Sequence, residues 1–292
     1  MHRLFLLFFA LLVTALPSLA SAPSGIEIQM RNAEGEAVIQ AALSDPTFWD
    51  DANVRTYDGE GYEEVRLKPA DPGYIPMIVG EGGQDFDHDV VSEVVFERQD
   101  QLSRHMAGAK TVEYLGRGYD EEIGAEYTDA FFYLDLSFFY ATYIQRMYRR
   151  SEGGETVLWF EKLDESFVDS ATWAQYQARV AEKVEEVDRR WTFNRILEVD
   201  EIYGMFFLES GQTHESRITF VSKLSFGDDA GFIANVGSRI PGVIRSGLRS
   251  GFDASVAICK EHQARRDAGA AARERAGVGD DAAAKKDARG GE

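Results

Sequence analysis

A series of segments rich in aromatic and β-branched residues fills the middle of the chain and constrains its fold more than any other feature. The segments alternate with short turns, and Ser151-Glu152-Gly153-Gly154 has the residue types of a tight hairpin. Strands joined in this way form an antiparallel sheet. The predicted strands are Thr111 to Leu115, Gly124 to Tyr133, Phe139 to Arg149, Glu155 to Leu163, Thr192 to Val199, Ile202 to Glu209 and Ser216 to Phe226.

Three stretches have apolar residues at helical spacing instead. The first runs from Val90 to about Leu102 or Met106 and follows a predicted strand from Tyr74 to Val79. The second runs from Ser170, its expected cap, to about Arg190.

The third stretch begins at Val243 and holds one apolar stripe to about His262. Three glycines in this stretch and just before it are unusual in a helix interior, and a helix that lies close over a sheet could tolerate them because a missing side chain allows close approach. They are Gly242, Gly247 and Gly251.

These elements form an α+β layout. Two segments, Val91 to Leu115 and Phe232 to Ile244 with the helix after it, resemble parts of the START-like, or helix-grip, superfamily of polyketide cyclases and lipid-transfer proteins. The segment Val91 to Leu115 resembles that family's early helix, loop and second strand. The segment Phe232-Ile233 to Ile240-Pro241-Gly242-Val243-Ile244, with the helix after it, resembles the family's terminal helix. The resemblance implies a curved antiparallel sheet wrapped around the long C-terminal helix, with an extra helix around 170–190 and an internal cavity.

The two ends of the chain differ from this body. Residues 1–20 have a basic start, a short apolar run and a small-residue junction, which predicts a signal peptide cleaved after Ala20 or Ala22. We therefore expect a secreted or periplasmic protein. Residues 264–292 lack aromatic residues and contain several glycines, which predicts a disordered tail.

The predicted domain runs over 74–263, and residues 21–73 form an N-terminal extension that is part of the fold or packed on it. Ile26, Ile28 and Met30 alternate with polar residues, as in a strand. The segment Glu36 to Leu43 is either a helix or the return strand of a hairpin.

Charge and cysteine content exclude several classes of function. The net charge of −19 argues against nucleic acid as a partner and against purely electrostatic attachment to anionic lipid. The single cysteine, Cys259, excludes an intramolecular disulfide and a cysteine-cluster metal site, and its place in the apolar stripe predicts a small core residue.

Motifs of known catalytic chemistry are absent from the sequence. It contains no zinc-binding His-Glu-x-x-His, no Gly-x-Ser-x-Gly elbow and no Walker loop. We therefore predict no catalytic residue, metal or cofactor, and an enzyme is the less favoured class.

The aromatic strands offer either a plain core or the walls of an apolar cavity. Alternation places Tyr143 and Met147 on one face of their strand and Tyr140, Ile144 and Tyr148 on the other, without showing which face points inward. Candidate cavity residues are Phe131, Tyr133, Tyr143, Arg146, Met147, Trp159, Phe207, Phe220, Ile240, Ile244 and Leu248.

Arg146 lies mid-strand among aromatic residues and has two alternative roles. If it is buried it needs a partner, either Asp129 or Glu126, and it could then orient a lipid head group. If it faces water, which is the favoured alternative, it is an ordinary surface residue.

Three functions remain open. The leading hypothesis is an exported START-like protein that binds, and in one version transfers, a lipid or other hydrophobic small molecule, with transient membrane contact as an option. The second is a cyclase or aromatase that uses Arg146, Tyr143 and His105 in the same cavity. The third is an interaction module with a filled core.

Overall fold

The sheet dominates the structure. The computed structural model describes residues 27–45, 47–57, 64–71, 73–82, 87–106, 108–136, 139–187, 195–210, 216–226 and 241–287. Within these ranges ten strands form one sheet in the order β1-β2-β3-β10-β9-β7-β6-β5-β4, and β8 pairs with β6. The strands are β1 (Asn53–Thr56), β2 (Glu64–Pro69), β3 (Tyr74–Gly82), β4 (Ala109–Asp120), β5 (Ala125–Asp135), β6 (Tyr140–Glu152), β7 (Glu155–Lys162), β8 (Ile196–Glu198), β9 (Glu201–Ser210) and β10 (Ser216–Ser225).

Helices cover both faces of this sheet. Short 3₁₀ turns at Gln99–Gln101 and Glu165–Phe167 accompany them. The α-helices are α1 (Ala33–Ser44), α2 (His88–Glu97), α3 (Leu102–His105), α4 (Ser170–Glu186) and α5 (Pro241–Asp287).

The strand pairs are antiparallel except for the short pair of β6 with β8. The predicted hairpin joins β6 to β7, and its turn needs glycine because Gly153 and Gly154 have φ of +62° and +90°. β3 pairs with β10, so that Met77 lies opposite Val221. This pairing brings the N-terminal strands into the sheet that the later strands form.

The inner face of the sheet is the one that faces α5. There Ile258 and Cys259 of α5 join Val91 and Val94 of α2 in one apolar cluster, which includes Leu158 of β7. The sheet is curved, and α5 lies against α2, α3 and β3. The chain therefore has the α+β helix-grip arrangement that the sequence predicts.

The outer face is covered by α1 and α4. Ile39 of α1 packs on Trp159 and Tyr203, and Tyr176 of α4 packs on Phe131 and Leu115. The start of α4 is capped by Asp169, whose Oδ1 accepts hydrogen bonds from the backbone N–H groups of residues 171 and 172. The cap is therefore one residue earlier than Ser170, the predicted cap.

The N-terminal segment differs in part from the prediction. Gln29 and its neighbours do not form a strand; the Trp159 Nε1–H donates to the Gln29 carbonyl over 2.9 Å. The Glu161 carboxylate accepts from the backbone N–H groups of Arg31 and Asn32 over 3.1 and 2.8 Å. These side-chain contacts replace strand pairing. The following segment is a helix, α1, rather than a return strand.

Helix α5 differs from the prediction in two respects. It continues to Asp287, through the residues for which a disordered tail is predicted, and the Ala and Arg content of that segment favours a helix. A close approach to the sheet at Gly242, Gly247 and Gly251 was the wrong explanation for these glycines, because a Cβ atom added at any of them would meet nothing within 4 Å.

Candidate functional site

Three phenylalanine rings form an apolar strip at the middle of the inner face. The Phe206 and Phe220 rings, on neighbouring strands, have centroids 4.5 Å apart, and the Phe160 ring lies 6.2 Å from that of Phe220. Gly204 leaves room for Phe160, because a Cβ there would lie 2.5 Å from the ring. These rings present a continuous aromatic surface towards α5.

The N-terminal half of α5 covers this strip with three apolar residues one helical turn apart. Ile244, Leu248 and Phe252 pack against a cluster that contains Leu67 and Ile78 of the sheet. All three are only partly buried. The apolar contact between helix and sheet is therefore incompletely closed in this part of the structure.

The outer face is closed more tightly. Trp159 and Tyr203 are 0% exposed and Phe207 is 1% exposed, whereas Phe206 and Phe220 on the inner face are only partly buried. Full burial under α1 leaves no room for a ligand there. Space for an apolar molecule is therefore favoured on the inner face.

The inner face also holds buried polar groups beside α2. The Gln99 Nε2 donates to the Val95 carbonyl over 2.8 Å, and the Gln145 Nε2 donates to the Gln99 Oε1 over 3.3 Å. The Tyr143 ring stacks on Phe132 with centroids 4.9 Å apart, and burial raises the pKa of the Tyr143 hydroxyl. These groups place hydrogen-bond donors and acceptors at one end of the apolar strip.

The structure divides the predicted cavity residues between the two faces. Tyr143, Met147 and Phe220 lie on the inner face, with Ile244 and Leu248 on the facing side of α5. Ile240 lies outside the described residues. The remaining five are on the outer face and are not brought together with the others: Phe131, Tyr133, Arg146, Trp159 and Phe207.

The inner-face residues that the prediction missed are Phe132, Phe160 and Phe206, with Phe252 of α5. Phe132 and Phe160 are direct sequence neighbours of predicted residues and have the opposite strand parity. The hairpin register could have placed Phe160 on the same face as Met147, because the two are direct partners in the β6–β7 pair, but it does not show which face lies towards α5.

Arg146 is buried, so the surface alternative for this residue was wrong. Its Nε and Nη2 donate to the two carboxylate oxygens of Asp129 over 2.7 and 2.8 Å. The Tyr176 hydroxyl donates to the same carboxylate over 3.0 Å, and the Tyr127 ring centroid lies 3.7 Å from the guanidinium. Asp129, one of the two predicted partners, thus satisfies Arg146 under α4, away from α5.

On the outer face, Arg146 and Glu161 form a buried charged cluster in which burial and the neighbouring polar groups shift each pKa in opposite directions. Burial by itself lowers the pKa of Arg146, but the hydrogen bonds and charge of Asp129 outweigh it and raise the pKa. For Glu161, burial raises the carboxyl pKa more than the hydrogen bonds from the Arg31 and Asn32 backbones lower it. The cluster fixes α4 and the N-terminal segment to the outer face.

A polar cleft of about 450 Å³ opens beside the N-terminal half of α5. It collects residues from β1, from the segment after β1, from the end of α3 and from one side of α5. The lining residues are Arg55, Tyr57, His105, Gly242, Arg245, Ser246, Arg249, Ser250 and Asp253. We call this the arginine cleft.

The residues proposed for cyclase chemistry do not converge on one point. Arg146 is under α4, Tyr143 is on the inner face, and His105 lines the arginine cleft, where its Nε2 lies 3.3 Å from Glu261. Cys259 is a buried core residue, as predicted, and burial raises the pKa of its thiol to about 12.

Two kinds of feature are absent from the described ranges. No group of three or more His, Cys, Asp and Glu side chains there is placed to hold a metal ion. No helix in the same ranges combines the length and the hydropathy needed to cross a membrane.

Comparisons with known proteins gave matches among solved structures. No protein-family model and no curated protein sequence matches the chain. Human STARD10 superposes with a TM-score of 0.49 and 10% identity over 80% of this chain and 83% of that one. Human StAR-related lipid transfer protein 5 gives 0.47 and 10% over 80% and 96%. The Zhui aromatase/cyclase from Streptomyces sp. R1128 gives 0.41 and 13% over 66% and 95%.

Proposed function

We propose that this chain binds a lipid or another hydrophobic small molecule between the inner face of the sheet and the N-terminal half of α5. The observation that carries the proposal is the aromatic strip of Phe160, Phe206 and Phe220 beneath Ile244 and Leu248, in which the Phe206 and Phe220 rings are only partly buried. A ligand that completes this apolar contact would gain about 25 cal/mol for each Å² of apolar surface removed from water.

The proposal includes export and a carrier role. The basic and apolar start of the chain supports export. Intact mass of the protein recovered after expression of the full chain tests it: a mature chain that begins at Ser21 or Pro23 is the expected result. An unprocessed chain that begins at residue 1 would contradict it.

Ligand binding is tested first by native mass spectrometry of the purified full-length chain. Organic extraction of the same sample identifies the molecules released. We expect a co-purifying lipid in stoichiometric amount, or uptake of lipid from a mixed extract. A protein that is empty and takes up nothing would refute the proposal.

A substitution on α5 tests where the ligand lies. Leu248→Gln places a polar amide over the aromatic strip and should reduce bound lipid at least severalfold, because apolar contact is lost. Lys260→Gln, at an exposed position of the same helix, is the matched control and should leave the bound amount unchanged. Equal retention by both variants would contradict the inner-face location.

A further inference from the structure

The arginine cleft concentrates positive charge in a chain that is strongly acidic. Three arginines and one aspartate line it, although the net charge of the whole chain is −19. We propose that this cleft is a binding site for a phosphate-type oxyanion. The guanidinium group suits such an anion, because its planar fork of N–H donors matches two phosphate oxygens at once.

Two of the guanidinium groups are held against one aromatic ring. The centre of the Arg249 guanidinium lies 4.9 Å from the Tyr57 ring centroid, and that of Arg55 lies 5.2 Å from it. The ring orients both cations.

Arg245, on the side of α5 that lines the cleft, contributes a third guanidinium group. Its Nη2 donates to the Asn53 side chain, which anchors the group at the end of β1. Its Nε is buried and has no hydrogen-bond partner among the described residues. This buried donor is therefore unsatisfied within the described residues.

Residues of α5 add neutral donors to the same cleft. Ser246 and Ser250 add two hydroxyl groups. Asp253 opposes anion binding by its charge and therefore provides a direct test.

The test uses inorganic phosphate as the probe, with titration calorimetry on the full chain. We expect saturable binding that potassium chloride at the same ionic strength does not reproduce. The paired substitution Arg245→Gln, Arg249→Gln should weaken it at least tenfold, because two charge-assisted contacts are lost. Arg273→Gln, at an exposed position of the same helix, is the matched control and should remain within about twofold of the unmodified chain.

A second variant keeps the test decisive if the arginine substitutions impair folding. Asp253→Asn removes the one carboxylate among the lining residues and lies at an exposed position, so it should tighten phosphate binding severalfold. Asp267→Asn, exposed and farther along α5, controls for the change in net charge. Absence of saturable binding, or equal affinities in all variants, would overturn the proposal.

Two probes identify the source of the anion. Dihexanoyl phosphatidic acid, below its micelle concentration, should bind more tightly than inorganic phosphate if the natural anion is a lipid head group. Equal affinities would indicate a free phosphate. The inference is independent of the proposed lipid binding: a chain that retains lipid but not phosphate refutes only this inference, and the reverse result refutes only the proposed function.

Discussion

The buried pair of Arg146 and Asp129 should be the most sensitive electrostatic contact in the described part of the protein. Asp129 is 0% exposed and accepts hydrogen bonds from Arg146 over 2.7 and 2.8 Å and from Tyr176 over 3.0 Å. Asp129→Asn removes the negative charge and keeps the shape of the side chain. Arg146, 2% exposed, then stays charged in a site closed to water.

The structure sets the size of the effect. An uncompensated buried charge costs about 3–5 kcal/mol. After the substitution the amide oxygen of the new side chain still accepts one hydrogen bond, and the Asp120 carboxylate remains 3.7 Å from Arg146. We therefore expect the lower end, a loss of about 3 kcal/mol in the free energy of unfolding. With a slope of about 2–3 kcal/mol per molar urea, the midpoint should fall by about 1–1.5 M.

The assay is urea unfolding followed by circular dichroism and tryptophan fluorescence. Glu126→Gln is the matched control, because Glu126 pairs with Arg149 across the same two strands at an exposed position and should lose no more than about 1 kcal/mol. The double variant Asp129→Leu, Arg146→Met removes both charges and should recover most of the stability.

Two results would refute this reasoning. One is an Asp129→Asn midpoint equal to that of Glu126→Gln, which would mean that water reaches the Arg146 charge. The other is a double variant as unstable as the single one, which would mean that shape rather than charge determines the contribution of the pair.

Three further predictions concern other parts of the structure. Cys259, the only cysteine, should react with a thiol reagent slowly in the native chain and fully in urea, since burial raises its pKa to about 12; rapid native reaction would contradict its placement. Gly251→Ala should raise the free energy of unfolding by about 1 kcal/mol, because the added Cβ meets nothing within 4 Å, whereas Gly204→Ala should lower it, since its Cβ would lie 2.5 Å from Phe160. Burial raises the pKa of Glu161 above 4.5 in the folded state, so its contribution to stability is present below pH 4.5 and is lost as pH rises through the raised value. Glu161→Gln should remove this loss of stability with rising pH, measured as the urea midpoint at several pH values across this range. An unchanged loss of stability in the variant would assign the pH dependence to another group.

The strands, the hairpin and the helices were predictable because their signals are local. Alternation of residue types and the Gly153-Gly154 turn belong to neighbouring residues, and the order of the elements gives the α+β class. The helix-grip arrangement was implied only by the family resemblance. The cap of α4 moved by only one residue.

The faces of the strands were not predictable by the same means. Trp159 and Phe160 are adjacent aromatic residues, and only the position of α5 decides that Phe160 lies on the inner face. That position depends on contacts between residues far apart in the chain. For this reason five of the predicted cavity residues lie on the outer face.

Charge pairing was predictable in part. Arg146 and its possible partner Asp129 could be named because the two strands are neighbours, but burial was not predicted since Tyr176 comes from the later helix α4. The arginine cleft was missed altogether, because Arg55 and Arg245 lie near opposite ends of the chain.

The pairing of β3 with β10 has a consequence for how the protein is made. β1, β2 and β3 are synthesised early, yet the only route by which they join the rest of the sheet in the described strand order is through β10, near the end of the strand series. Closing so long a loop is slow, and until it closes the edge of β3 offers unpaired backbone groups to other chains. We expect a nascent chain that ends before Ser216 to be prone to aggregation and to depend on a chaperone until β10 emerges.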